Sequence, residues 1–409
     1  MPGNAFIPRE YDIFAGLDVD RKSISVTFTS HQGFLRSLRM PYRVDHLVHY
    51  VGKHFANQRV VFAYEAGPTG YGVYDGLVAH AYPCLIAAPA MIPRAPGQRV
   101  KTNRLDSRAL AENLRGGQLR SIHVPSPVYR ELRHLTQLRD TVVSQAVATK
   151  QRIKSLLLFE GLAFPPAAAG HQWSLQVKAQ LRTLPCAPPV RFKLDQLLAT
   201  LAFAEQQVLQ TTREIRRFCR TEPELARCIQ YLMTVSGIGW ITASQLLARI
   251  GDWRELKNIR QLGAFVGVVP TEHSTGEGPQ RGAITRTGDA RLRAKLIQAA
   301  WAAIRHDAEL RPCFRAVCQR HPPDRGPRIA IVAVARKLTV RIAVVLRQQR
   351  PFVRRDPVPS APVTQEETVP QGTTRRLAEP GAAAPWVRPM RQRARGISSP
   401  ERGAHSEPV

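Results

Sequence analysis

The hydrophobic period of this chain changes along its length, and that change limits its folds more than any single residue does. In residues 12 to 30, IFAGLDV is an apolar run ending in acids and SISVTFT alternates at period two, which predicts two strands around a short turn. RVVFAY (Arg59 to Tyr64) predicts a buried strand with Glu65 just beyond its end, a helix is expected from about Tyr71 to His80, and CLIAAP is a further short apolar run. Strands alternating with helices predict an α/β unit. From about Pro125 the period becomes helical. Leu132, Leu135, Leu138, Val142, Ala146, Ile153 and Leu156 recur at helical spacing, and Leu194, Leu197, Leu198, Leu201, Val208 and Ile215 do so again. The Pro-rich piece between them, FPPAAAG to CAPP, reads as a connection, so two long antiparallel helices are expected as an insert or dimerisation arm. Residues 222 to 350 look mainly helical around a Gly-rich loop from Val268 to Gly288. The expected divisions are an α/β domain at 10–122, a helical arm or coiled coil at 123–222, a mainly α domain at 223–350 and a tail at 351–409. The last 59 residues hold 10 prolines, 9 arginines and 6 acidic residues, with few large apolar groups, and predict a disordered tail.

Charge narrows the partners. Lys and Arg total 59 against 31 Asp and Glu, for a net charge of +28 over 409 residues. A surplus of that size concentrates polyanions around the protein, and DNA or RNA phosphates are the natural counterparts. The six cysteines form no CxxC pair and precede no His at zinc spacing, so a reduced compartment with incidental thiols is expected. The N-terminus carries no signal-peptide pattern. The longest apolar stretch, Ile329 to Leu346, is interrupted by Arg336, Lys337 and Arg341 and reads as an amphipathic helix on a core, not a membrane span. A cytoplasmic, nucleoid-associated protein is expected.

Three acids stand where an α/β sheet places its chemistry. Asp18 ends the first strand, Glu65 follows a later one, and Asp106 opens a predicted helix; strand ends are where sites collect in such sheets. Carboxylates converging on one point hold hard cations such as Mg²⁺, which bind phosphate oxygens, activate a nucleophile and stabilise a leaving oxygen. Asp20, just past the end of the apolar run, suits turn chemistry. Lys101, Arg104 and Arg108 surround the third acid and are candidate backbone contacts or a solvated face.

In the second half, LMTVSGIGWITASQLLARIGD places Gly237 and Gly239 in a turn between two helices, where backbone N–H groups can approach a phosphate as in a helix-hairpin-helix. A packing turn is the simpler alternative. Thr242 and Ser244 are expected to cap or solvate the second helix. Further on, Ser274 lies in a polar loop before Arg281, Arg286, Arg291 and Arg293. A serine attacks a phosphodiester once its proton is removed, and guanidiniums hold the phosphate oxygens. Glu272 and His273 are adjacent proton acceptors or ordinary polar residues.

The words GLDVDRKSISV, YEAGPTGYGVYDGL and VKTNRLDSRALAENLRGGQL resemble the N-terminal domain of the DEDD insertion-sequence transposases, the insertion-sequence one-hundred-and-ten family, whose relatives include pilin-gene invertases. LGAFVGVVPTEHSTGEGPQRGAITRTGDARLR resembles that family's second domain. The resemblance implies an RNase H-like (RuvC-like) fold, metal-binding acids at Asp18, Glu65 and Asp106, and a nucleophile at Ser274, with Thr275 its neighbour. The family's third acid falls on Asn103, whose neutral carbonyl oxygen brings one less negative charge to a metal. The resemblance further implies Mg²⁺, DNA at the element ends and target, a structured guide RNA, and a homo-oligomer (dimer or tetramer) that completes each site across protomers. Two other readings stay open: a hydrolytic RuvC-like nuclease that uses water, and a non-catalytic nucleic-acid-binding protein left by the change at Asn103.

Overall fold

The computed structural model describes residues 6–93, 103–166, 173–256, 258–275 and 278–353; the side chains of 104 and 273–281, and that of Asn103, lie outside the described ones. Strands β1 (Ile13–Val19), β2 (Ser23–Ser30) and β3 (Gly33–Pro41) pair antiparallel, and helix α1 (Val44–His54) follows. Strand β4 (Val60–Glu65) then joins β1 in parallel, helix α2 (Gly72–Ala79) crosses, and β5 (Cys84–Ala87) joins β4 in parallel. The resulting sheet has the order β3-β2-β1-β4-β5. The expected strands and the α2 helix are all present. Strand β3 and helix α1 escaped the sequence reading, because GFLRSLRMP has one solvated edge and scattered arginines where a clear alternation was sought.

The two sheet faces bury different sets. Ile13, Ala15, Leu17, Val60, Phe62 and Tyr64 point into a cluster with Leu47 and Leu77, beneath α1 and α2. Phe14, Val61 and Ala63 point the other way, against Leu110 and Leu114 of helix α3 (Asn103–Arg115). Successive strand residues alternate faces, so the central strands β1, β2 and β4 are buried on both sides, whereas the edge strand β3 is largely exposed.

The arm consists of α4 (Pro127–Phe159) and α6 (Pro188–Thr221), each opening with a proline whose missing N–H costs nothing in a first turn. At 33 and 34 residues they run about 50 Å each. Leu132 packs near Ile215 and Cys219, while Ile153 and Leu157 pack near Leu194 and Leu198, so the pair is antiparallel as expected. The connection, expected to be irregular, carries a further helix, α5 (Leu175–Thr183), started by the Ser174 side chain accepting from the Val177 N–H. Lys178 of α5 and Lys150 of α4 both pair with Glu205 of α6, which ties the short helix to the arm. At its base, Arg130 makes a bidentate pair with Asp75 of α2 at 2.8 Å.

The remaining helices are α7 (Pro223–Met233), α8 (Trp240–Ile250), α9 (Gln261–Val266), α10 (Ala290–His306), α11 (Leu310–Gln319) and α12 (Gly326–Gln348). The expected Gly-rich loop is instead a hairpin of β6 (Pro270–Thr275) and β7 (Gly278–Ile284). Its glycines and prolines masked a short antiparallel pairing. Helix α12 carries Ile329 to Leu346 with its apolar face on the core, as expected, and departs from the amphipathic pattern at one cation. Arg336 and Lys337 are exposed, but Arg341 is buried and donates to Asp307 at 2.6 Å. Among the described residues no helix is long and apolar enough to cross a membrane.

Candidate active site

Asp18 and Glu65 end adjacent strands. The parallel register of β1 and β4 runs to Leu17 opposite Tyr64, so Asp18 and Glu65 are the next positions of each strand, side by side and on one face. Both are partly exposed, as strand ends must be to serve a ligand. Asp20, at the turn, accepts the Arg21 N–H at 2.7 Å and so serves turn chemistry as expected.

A glycine brings α3 down onto this face. A Cβ at Gly16 would lie 2.2 Å from the Ser107 carbonyl oxygen and 2.4 Å from the Ala111 nitrogen, so only glycine permits the approach. The contact is fastened by buried hydroxyls, with Thr27 Oγ1 2.9 Å from Ser107 Oγ. The direction of α3 follows from three levels. Phe14 packs with Leu110 and Leu114, Gly16 meets Ser107 and Ala111, and two residues further Asp18 reaches the level of the helix's first turn. Asp106 is in that turn, half-buried. Position 103 lies three residues before it, on the same helix face. Gly16, Thr27 and Ser107 were not among the sequence-predicted site residues. The signal that marks them is a glycine two residues before the acid in an otherwise apolar strand.

The three acids thus come from the same end of one sheet and the helix packed on it. Among the described residues, no group of three or more His, Cys, Asp or Glu side chains stands close enough to hold a metal. The arrangement already holds a pair of hard oxygen donors on neighbouring strands, which suits a divalent cation, with Asp106 on the facing helix. Lys101 lies outside the described residues, as does the side chain of Arg104; Arg108 is exposed, with its guanidinium over the Phe34 ring at 5.1 Å.

The second half sorts its predicted residues differently. Gly237 has φ +83°, and a Cβ there would lie 2.2 Å from the Ala299 carbonyl oxygen of α10, so this glycine lets the α7–α8 turn pack on a helix. Gly239 precedes α8 and a Cβ there would meet nothing within 4 Å, so the start of α8 is open. Ser244 neither caps nor solvates α8: it is buried and donates to the Ile241 carbonyl. Ser274 sits on β6 opposite Pro279, and Thr275 opposite Gly278. The Arg281 side chain lies outside the described ones. Arg286, at φ +55°, and Arg291 are exposed, whereas Arg293 donates to the Val266 carbonyl at 2.9 Å. Asp289 caps α10 through the N–H groups of Arg291 and Leu292 and pairs with Arg249 at 3.2 Å. These contacts hold the stretch after the hairpin against α8 and α9.

Comparison with known proteins covers both halves. A family model described as the transposase IS116/IS110/IS902 family matches residues 229–315, and a transposase model of the DEDD type matches residues 15–160. The chain is 32% identical over 244 residues to the "Putative transposase y4qE" of Sinorhizobium fredii, covering 60% of this chain and 58% of that one, so it spans less than two thirds of that relative. It is 25% identical over 256 residues to the transposase for insertion sequence element IS1111A of Coxiella burnetii, covering 62% of this chain and 68% of that one. It is also 28% identical over 150 residues to the pilin gene-inverting protein of Moraxella bovis, covering 36% and 46% respectively.

Proposed function

Because the chain belongs to the IS116/IS110/IS902 family of transposases, we propose that it cuts and rejoins DNA strands as the transposase of an insertion sequence. The observation that carries this reading is the side-by-side ending of β1 and β4, which sets Asp18 beside Glu65 on the face reached by the first turn of α3. The sheet order β3-β2-β1-β4-β5, antiparallel on one side of β1 and parallel on the other, supports an RNase H-like, RuvC-like fold for residues 10–122. The arm at 123–222 and the helical part at 223–350 then form separate functional regions, followed by the tail at 351–409.

Asp18, Glu65 and Asp106 would hold the divalent metal typical of DEDD transposases, and we assign it as Mg²⁺ on the hardness of the carboxylate donors. When bound, such an ion neutralises charge on the phosphate and on the departing oxygen. Asn103 adds a neutral oxygen to this set, so Asn103→Asp is expected to strengthen metal binding and raise cleavage. Ser274 Oγ attacks phosphorus; the Oγ–P bond forms as the P–O bond to the departing strand breaks, and the serine proton passes to a neighbouring base such as Glu272 or His273. The strand is rejoined when the free hydroxyl of a new strand end attacks the same phosphorus; the new O–P bond forms as the Oγ–P bond breaks, and the proton of that hydroxyl passes through the same base to the released serine Oγ. Arg281, Arg286, Arg291 and Arg293 are assigned to backbone phosphates, with Lys101 and Arg104 at the acid edge. The open start of α8 at Gly239 supports a helix-hairpin-helix contact, in which Gly237 shapes the turn. A structured guide RNA and a homo-oligomer that completes each site across protomers belong to the same proposal.

The test is trapping of covalent protein–DNA adducts. Ser274→Ala should abolish them, and Asp18→Asn or Glu65→Gln should remove metal-dependent cleavage while leaving DNA binding, which rests on cations. Cleavage that survives Ser274→Ala would instead identify a hydrolytic nuclease. Binding without cleavage, in both the native chain and Asn103→Asp, would identify a nucleic-acid-binding protein.

A further inference from the structure

The register that sets Asp18 beside Glu65 continues across the other half of the sheet. Asp18 pairs with Ser25 on β2, and Ser25 pairs with Arg39 on β3. Directly opposed residues share a face, so Glu65, Asp18, Ser25 and Arg39 form one row across four strands. The row lies on the α3 face, because Thr27, two residues from Ser25, meets Ser107 of α3 at 2.9 Å and Ser37, two residues from Arg39, at 2.8 Å. Arg36 points to the opposite face, where its guanidinium lies 5.9 Å from the Tyr50 ring centre. Arg39 stands two strand spacings from Asp18, about 10 Å at ~4.8 Å each, within the reach of one side chain toward a shared nucleic-acid strand.

Arg39 is seated in a way that suits phosphate. Its Nε donates to Ser23 Oγ at 3.0 Å, and Ser23 and Ser25 are both buried at 8% exposure. Among the described residues Arg39 pairs with no carboxylate, although two acids end the strands of the same row. A neutral hydroxyl therefore orients the guanidinium without neutralising it, and the two Nη groups are left for a bidentate acceptor. Resting on the reading of Asp18 and Glu65 as the metal-binding acids, we propose that Arg39, oriented by Ser23, clamps a DNA backbone phosphate adjacent to the one being cut. It would set the position of the strand along the acid edge. An arginine that serves only to keep an edge strand from pairing with other chains would act without regard to any one phosphate.

The experiment uses the full-length protein and a duplex carrying the element's end, with each phosphate around the cleaved bond replaced in turn by an uncharged methylphosphonate. With the native protein, one position beside the cleaved bond should weaken binding and raise KM roughly tenfold, the scale of one charge-assisted hydrogen-bonded contact. Arg39→Ala and Arg39→Gln should lose the same factor on unmodified DNA, with kcat little changed, and should show no further loss at that one position. Ser23→Ala should give a smaller loss in KM, and Arg39→Lys should recover part of it. The salt slope of binding should fall by about one in Arg39→Ala. An interference pattern in Arg39→Ala identical to the native pattern, with losses that simply add, would overturn the proposal. Binding measured without divalent metal makes the same comparison independently of cleavage. Cutting that persists in Asp18→Asn therefore counts against the acid site alone, and an unchanged binding pattern counts against Arg39 alone.

Discussion

Asp18 and Glu65 lie at the carboxyl ends of neighbouring interior strands and are partly exposed, whereas Asp307 in the helical half has a fully buried side chain at 0% exposure. Asp307 accepts from Arg341 at 2.6 Å and from the N–H groups of Glu309 and Leu310 at 3.0 Å, and Arg341 also reaches Glu309. Burial raises the Asp307 pKa, but the Arg341 and Ser236 hydrogen bonds and the Leu310 N–H outweigh it and hold the carboxyl below its ordinary range. The comparison separates two uses of one functional group. A carboxylate surrounded by a guanidinium and backbone donors has its lone pairs taken and ties helices together. A carboxylate at the end of a strand stays partly exposed to solvent, as Asp18 and Glu65 do. Each region also depends on one glycine, Gly16 under α3 and Gly237 under α10, for a backbone contact that no Cβ allows.

The contrast can be broken at several points. The largest expected effect is on stability in the helical half. Asp307→Ala leaves the buried Arg341 with only the half-exposed Glu309 as an acid partner and removes the acceptor of two backbone N–H groups, and should lower unfolding free energy by about 3–5 kcal/mol in denaturant titration. A loss under 1 kcal/mol would show that the pair is no lock. Next comes Asp18→Asn, expected to lower strand cleavage on the order of 10²–10³-fold, the scale of removing one stabiliser of transition-state charge, with unfolding unchanged. Equal stability losses at Asp18 and Asp307 would erase the distinction. Gly16→Ala and Gly237→Ala should each cost about 1–3 kcal/mol through overpacking. Only Gly16→Ala should also reduce cleavage per folded molecule, because it shifts α3 and with it Asp106. The smallest effect is on acid stability. A depressed carboxyl contributes stability above its ordinary value near 3.8 that is lost as pH falls through the lowered one. Native chain and Asp307→Asn should therefore differ most at neutral pH and converge in strong acid, as read by thermal melts across pH.

Much of this was legible in the residues themselves. IFAGLDV, SISVTFT and RVVFAY are strands where their apolar runs placed them, and the helical repeats of the arm gave two antiparallel helices. The sites of Asp18 and Glu65 at strand ends followed from where those runs stop. Other features were hidden. Strand β3 carries Arg36 and Arg39 where an alternating pattern would place apolar residues, and it is held as much by pairing with β2 as by burial. The β6–β7 hairpin has the composition of a loop. Arg341 looked like the polar face of a helix because its partner Asp307 lies 34 residues away.

The sequence alone determined which segments are strands and which are helices, and where along them the acids, glycines and serine fall, because burial on one face leaves its period in the chain. Only the tertiary structure decided that β4 lies beside β1, that Gly16 admits α3, and that Arg39 and Asp307 meet such different neighbours. Those facts depend on register and on contacts between distant segments. The entropy of closing the loops between them leaves no local pattern that a residue's own neighbours could report.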